Sequence, residues 1–274
     1  KATTDTGGLI ADEKINTVAV VTRHDTHARF VEKCLKLGKN VFVEKPLAIN
    51  KAELERVKNQ YEMTQNQEGA PRLMVGFNRR FSPHVQKMKQ LLNTVTEPKS
   101  FIMTMNAGAI PADHWTQDLN VGGGRIIGEA CHFVDLMRYL AGSKIVSVQC
   151  RRMGESNGVD ITEDKATIIL GFEDGSFGTI HYLANGHSSF PKERIEVFAS
   201  GKVLQLDNFR KLKGFGWSGF NRMSTFKQDK GQDNCVAEFV KSIQQGLGSP
   251  IPFDEIMEVA AVSIDIAEQL RSQQ

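Results

Sequence analysis

The stretch TVAVVTRHDTHARFVEKCLKLGKNVFVEKP, Thr17–Pro46, reads as a strand, a helix and a second strand. Val18-Ala19-Val20-Val21 is an unbroken, mostly β-branched run of the kind carried by a parallel strand covered on both faces. Asp25 is the expected N-cap of the helix that follows; Ala28, Val31 and Leu35 mark its inner stripe, and Gly38 stops it. Asn40–Glu44 is the second strand. Downstream, Lys51–Gln65 is expected to be helical and Arg72–Phe77 to form a third strand. Ser82 and Pro83 open a third helix striped by Val85, Met88, Leu91, Leu92 and Val95. Strand and helix alternate three times, which predicts βαβ units and a parallel sheet that binds ligands beyond the carboxyl ends of its strands. Those ends carry Thr22-Arg23-His24, Glu44-Lys45-Pro46 and Asn78-Arg79-Arg80. Lys45 either offers an ammonium to the crevice or pairs with Glu44 at a loop.

From Ser100 the pattern changes to alternating, single-faced strands: Ser100–Asn106, Ile145–Met153, Thr162–Phe172, Ser176–Ala184, Arg194–Ala199 and Lys202–Asp207. Glu173-Asp174-Gly175-Ser176 is the hairpin turn of the middle pair. Helices at about Gln232–Gln245 and Asp254–Arg271 close the chain as core elements. Between the two regimes lies GGGRIIGEACHFVD, Gly122–Asp135. Its glycines allow a close approach to the backbone, and Ile126, Ile127, Ala130, Phe133, Val134, Met137 and Leu140 then mark a buried helix face. His132 rides on that helix. An imidazole there suits proton transfer near neutral pH, and it equally suits a packed ring satisfied by Asp135. In the loop before it, His114-Trp115 either walls a sugar-sized pocket or pins the loop. Arg79, Arg80 and His84 either receive an anionic substrate or sit in ion pairs. Lys192 and Glu193, at the start of a strand, read as surface or interface residues.

Composition narrows the function. A net charge of +2 with 40% hydrophobic and 24% charged residues describes a globular chain with no polyanion-binding surface, so nucleic acid is not an expected partner. No apolar run is long enough for a membrane span, and no signal peptide opens the sequence. Cys34, Cys131, Cys150 and Cys235 form no C-x-x-C pair, which fits reduced thiols in a cytoplasm. No ligand cluster of metal spacing occurs; a His132–Asp135 site has no further ligand nearby.

VEKPL after TRHDTHA, then GFNRRFSP and GGGRIIGEACHFVDL, occur in an order that resembles the Gfo/Idh/MocA family of NAD(P)-dependent oxidoreductases over essentially the whole chain. The wording TRHDTHA, NAGAIPADHW, GEACHF, PKERIEVF and DKGQ resembles a branch fused behind a zinc-dependent alcohol-dehydrogenase-like module, often in polysaccharide gene neighbourhoods. The implied fold class is α/β: an N-terminally truncated Rossmann-like parallel sheet over residues 1–97, then an α+β substrate domain with an open, mainly antiparallel sheet over 98–274. The implied activity is hydride transfer between NAD or NADP and a hydroxyl or keto carbon of a sugar, polyol or nucleotide sugar. His132 matches the acid/base position and Lys45 the orienter of substrate and nicotinamide. Thr22, Arg23, His24, His27, Glu44 and Lys45 are implied at the cofactor, and Asn78, Arg80, His114 and Trp115 at the substrate. Pairing of the open sheet into a homo-oligomer is implied as well.

Two departures stand out. The family often has an aspartate four residues before the histidine, where this chain has Gly128. Glu129, three residues before, is the nearest carboxylate but lies about 100° around a helix from that position, so Asp135 and Glu44 are alternative orienters. The glycine-rich strand–turn–helix is also missing, which leads us to expect a unit of roughly 30 to 60 residues upstream. GFGWSG at Gly214–Gly219 has the spacing without the context and reads as a flexible aromatic loop. A non-catalytic sugar- or partner-binding module is the alternative to the enzyme.

Overall fold

The computed structural model describes residues 2–65, 69–159 and 161–273. A short helix α1 (Thr6–Ala11) precedes β1 (Thr17–Val20), α2 (His27–Lys36), β2 (Asn40–Val43), α3 (Lys51–Gln65), β3 (Leu73–Val75) and α4 (Pro83–Leu92). The strands form a parallel sheet in the order β1-β2-β3, as the alternation predicted. Among the described residues β1 is an edge strand of this sheet, with Ala19 exposed and Val21, beyond the strand, 69% exposed. One expectation fails, because Asp25 is not the N-cap of α2. It lies in a 3₁₀ turn, His24–Thr26, and the residue before α2 is Thr26, whose Oγ1 donates to Arg23 O at 2.7 Å. Ser82 precedes α4 as expected but does not cap it; its hydroxyl donates to Asp229 O.

The second layer is built from β4 (Ser100–Asn106), β5 (Ile145–Arg152), β6 (Lys165–Phe172), β7 (Phe177–Leu183), β8 (Glu193–Ala199), β9 (Lys202–Asp207), β10 (Lys211–Phe215) and β11 (Arg222–Ser224). Its order is β11-β10-β9-β8-β4-β7-β6-β5, with β4–β7 the one parallel pair among the described residues. The alternation seen in the sequence is the pleat: Phe101, Met103, Ile168, Leu170, Ile180, Ile195 and Val197 turn inward and are at most 1% exposed. The GFGWSG segment is not a flexible loop. Gly214 lies within β10, which pairs with β9 and β11. Trp217 is 7% exposed and donates its Nε1–H to Val203 O, so the spacing belongs to an ordered edge hairpin.

The apolar face of the mixed sheet is covered by α5 (Cys131–Ala141) and α7 (Phe253–Arg271). With α6 (Gln232–Gln244), α7 also returns to the parallel layer: Lys51 pairs with Asp265 and Glu268, and Ser249 donates to Leu73 O. One continuous apolar core therefore runs through both layers.

Candidate active site

The GGG segment is shaped by the protein's own chain. A Cβ on Gly122 would stand 2.3 Å from Thr116 Cα, and one on Gly124 would meet Glu163 and Arg271. Gly123 and Gly124 take φ of +73° and +81°, which glycine alone adopts freely. The helix then starts with a π turn, Ile126–Ala130, in which Cys131 N–H donates to Ile126 O, before α5 continues as an α-helix. Such single turns are frequent at functional sites.

Lys45, one residue past Glu44 and joined to Pro46 by a cis peptide bond, extends from the end of β2 to that turn. Its Nζ donates to Gly128 O at 2.8 Å, so it does not pair with Glu44. Lys45 and His132 line one cavity of about 300 Å³ together with His24, Trp115, Gly128 and Glu129. His132 also reaches a second cavity of about 280 Å³, where Glu44, Gly76, Asn78 and Lys230 are among the walls.

His132 is 6% exposed and stacks edge-on against Phe77, and its Nδ1 is sealed without a hydrogen-bond partner. Burial, with the cations Arg79, Lys45, Lys230 and Lys192 nearby, holds its pKa well below the usual value, so the ring is neutral. None of the three expected carboxylates orients it. Glu129 instead accepts from Arg125 at 2.8 Å, Tyr182 at 2.5 Å and Lys192 at 3.4 Å. Burial alone would raise its pKa; Tyr182, Lys192 and Arg125 outweigh that and bring it to about 2. Asp135, fully buried, is held by Arg80, and Glu44 has no hydrogen bond to the ring among the described residues.

The remaining expected site residues divide sharply. Trp115 is at the cavity, in contact with His24 and under the Arg23 guanidinium, whereas His114 is exposed and its Nδ1 lies 2.8 Å from Thr116 Oγ1. Thr22 and Arg23 are exposed at the mouth of the β1 loop. His27 is sealed, with Nδ1 2.7 Å from Pro46 O and Nε2 2.9 Å from Thr22 O, so it pins two loops and leaves no nitrogen for a cofactor. Asn78 donates to Lys230 O at the second cavity. Arg80 is 3% exposed and locked to Asp135 and Glu255, so it cannot receive a substrate; the sequence showed a basic pair but not the carboxylates it would meet. His84 is fully buried. Arg79 alone of that group faces both cavities, paired with Glu193.

Sequence reading missed Arg125, Tyr182, Glu193 and Lys230. Lys192 and Glu193 were expected at the surface or an interface, yet Glu193 is 1% exposed and binds Arg79 and Lys230. Gly231 held the available signal: at φ +82° it packs against Phe81 and Ser82 backbone, which fixes the loop carrying Lys230 beside Arg79. The described residues contain no cluster of metal-binding side chains, and the four cysteines are unpaired.

Residues 1–70 match the model of the oxidoreductase family with an NAD-binding Rossmann fold, and residues 85–205 match that of the GFO/IDH/MocA C-terminal domain. The chain belongs to the GFO/IDH/MocA oxidoreductase family. Among its relatives, the myo-inositol 2-dehydrogenase of Thermotoga maritima is 29% identical over 260 residues, 90% of this chain and 75% of that one. The scyllo-inositol 2-dehydrogenase (NAD(+)) of Bacillus subtilis is 33% identical over 186 residues, 63% of this chain and about half, 49%, of that enzyme's length. The fold also matches levoglucosan dehydrogenase in complex with NADH and levoglucosan, with a TM-score of 0.83 at 21% identity over 99% of this chain and 82% of that one. The layers of this GFO/IDH/MocA chain correspond to the parallel sheet and C-terminal sheet of that fold.

Proposed function

We propose that the chain is an NAD(H)- or NADP(H)-dependent dehydrogenase module acting on a secondary hydroxyl or keto carbon of a sugar, polyol or nucleotide sugar. The observation that carries this reading is the shared cavity of Lys45 and His132 at the carboxyl end of the parallel sheet. Relatives named as inositol dehydrogenases support the substrate class. The residues fit the reacting end of a dinucleotide, since a neutral imidazole and an ammonium meet at a cavity large enough for one ring. No glycine-rich strand–turn–helix for the pyrophosphate occurs among the described residues.

When bound, the nicotinamide supplies or takes the hydride. Lys45 gives one N–H to Gly128 and keeps two for the substrate oxygen, where its charge stabilises the developing alkoxide. His132, held neutral, takes the hydroxyl proton in oxidation and returns it in reduction. Thr22, Arg23 and Glu44 are proposed on the cofactor side, and Trp115 and Asn78 on the substrate side. The fused arrangement, a role in polysaccharide synthesis and a cytoplasmic setting belong to the same proposal and rest on motif wording and thiol usage.

The test is titration with NADH and NADPH, followed by initial rates with myo-inositol and NAD⁺. His132→Ala should lower kcat at least about 100-fold while dinucleotide affinity changes less than about threefold; normal turnover by that variant sinks the assignment. One observation favours a binding module instead: the orphaned Nδ1 of His132 lacks the orienting partner that general bases usually have. Failure to bind either dinucleotide would decide for it. We also infer a homo-oligomer through the outer face of the mixed sheet, supported by the exposed Ile102, Ile169, Phe177 and Phe198.

A further inference from the structure

We propose that His24 holds the substrate: its Nε2 accepts a hydrogen bond from the hydroxyl adjacent to the reacting carbon, which makes the site selective for a vicinal diol. This rests on the dehydrogenase reading and moves His24 from the cofactor to the substrate.

The ring's state follows from its partner. His24 Nδ1 lies 2.7 Å from Gly122 O. A carbonyl oxygen only accepts, so Nδ1 carries the hydrogen, and in a neutral ring Nε2 is then a bare acceptor. Neutrality is secured by burial and by the neighbouring Lys45 and His27, which bring the pKa to about 4 against the support of the Gly122 bond and Asp25. Nε2 has no hydrogen-bond partner among the described residues and, unlike His132 Nδ1, is not sealed from solvent.

The ring's position is equally determined. It stacks edge-on against Trp115, with centroids 4.8 Å apart at 72°. On its other side it lies over Gly128, where a Cβ would come within 2.8 Å of His24 Cε1. The ring therefore occupies the space into which a side chain at 128 would project. Gly122 supplies the carbonyl that holds it, and Gly128 supplies the room.

The selectivity comes from which acceptors at the cavity already carry hydrogen bonds. Glu129 Oε2 serves Arg125 and Tyr182, and its Oε1 serves Lys192. Thr116 Oγ1 faces His114. Lys45 and Arg125 only donate. The uncharged ring nitrogens facing this cavity with no hydrogen bond among the described residues are thus His132 Nε2 and His24 Nε2, one for the hydroxyl that reacts and one for its neighbour. A substrate lacking the second hydroxyl buries a bare nitrogen, and built sites of that kind reject such analogues strongly.

Long-range proton–nitrogen spectra of the ¹⁵N-labelled chain at pH 7 test this directly. His24 should show a protonated Nδ1 and a bare Nε2. Adding myo-inositol should shift Nε2 saturably, whereas cyclohexanol, with one hydroxyl, should not. His24→Ala, folded as judged by its melting curve, should weaken myo-inositol binding at least tenfold, and Gly128→Ala should do the same. A reversed tautomer, an imidazolium at pH 7, an Nε2 indifferent to myo-inositol or equally shifted by cyclohexanol, or unchanged affinity in His24→Ala overturns the proposal. An intact Nε2 response without dinucleotide binding sinks only the dehydrogenase reading, and turnover unaffected by His24→Ala sinks only this one.

Discussion

Glu193 shows how one buried carboxylate can hold two cations at the edge of the site. It is 1% exposed and lies 3.0 Å from Arg79 and 2.5 Å from Lys230, which both border the cavity shared with His132. Replacing it with alanine leaves two cations without their partner, so we expect a loss of about 3 to 5 kcal/mol in urea unfolding, with Glu193→Gln intermediate. His24 contributes to acid stability. Its pKa is lowered to about 4 in the folded chain from 6.5, so between those values the unfolded chain binds more protons. The stabilisation is complete above pH 6.5 and disappears as pH falls toward 4. From His24 alone, urea midpoints at pH 7 and pH 5 should differ by the equivalent of about 2 kcal/mol, and His24→Ala should reduce the slope by that share, leaving the part that the buried His132 supplies. An unchanged slope would mean that the ring is already charged when folded. Neither residue's role was readable from sequence, because Gly122 is 98 positions from His24 and Arg79 is 114 from Glu193.

At the scale of elements, the sequence was most informative where periodicity and punctuation agree. Lys51–Gln65, Ser100–Asn106 and Lys202–Asp207 have the predicted bounds, since each is an amphipathic run between turn signals. The glycine segment was recognised for its permissive backbone, but the reason for it came from the loop packed against it. Gly122→Ala would drive a methyl to 2.3 Å from Thr116 Cα and disturb the carbonyl that holds His24. We expect a lower melting temperature, corresponding to roughly 1 to 3 kcal/mol, and weakened substrate binding. A melting curve identical to that of the parent would show that the loop simply gives way. The π turn and the β10–β11 hairpin were not foreseen. Lys45 bonds to the one and β9 pairs with the other, and neither has a local pattern of its own.

For the molecule as a whole, the outer face of the mixed sheet carries exposed apolar side chains, with Ile169 40% and Phe198 42% exposed. Sedimentation equilibrium should find an assembly larger than the 30.5 kDa chain, and Ile169→Lys with Phe198→Lys should reduce it to the monomer without lowering thermal stability. A monomer in the parent chain would sink the proposed interface. The sequence by itself determined the two sheet types, their order, the family motifs and the candidacy of Lys45 and His132, because hydropathic period and turn chemistry act over a few neighbouring residues. Only the tertiary structure decided which charges are partnered, that Arg80 and His27 serve the scaffold, that Glu129 answers to Tyr182 and Arg125, and that His24 faces the cavity. Those outcomes depend on Coulomb and hydrogen-bond contacts effective over a few ångströms, between residues that the fold brings together from distant parts of the chain.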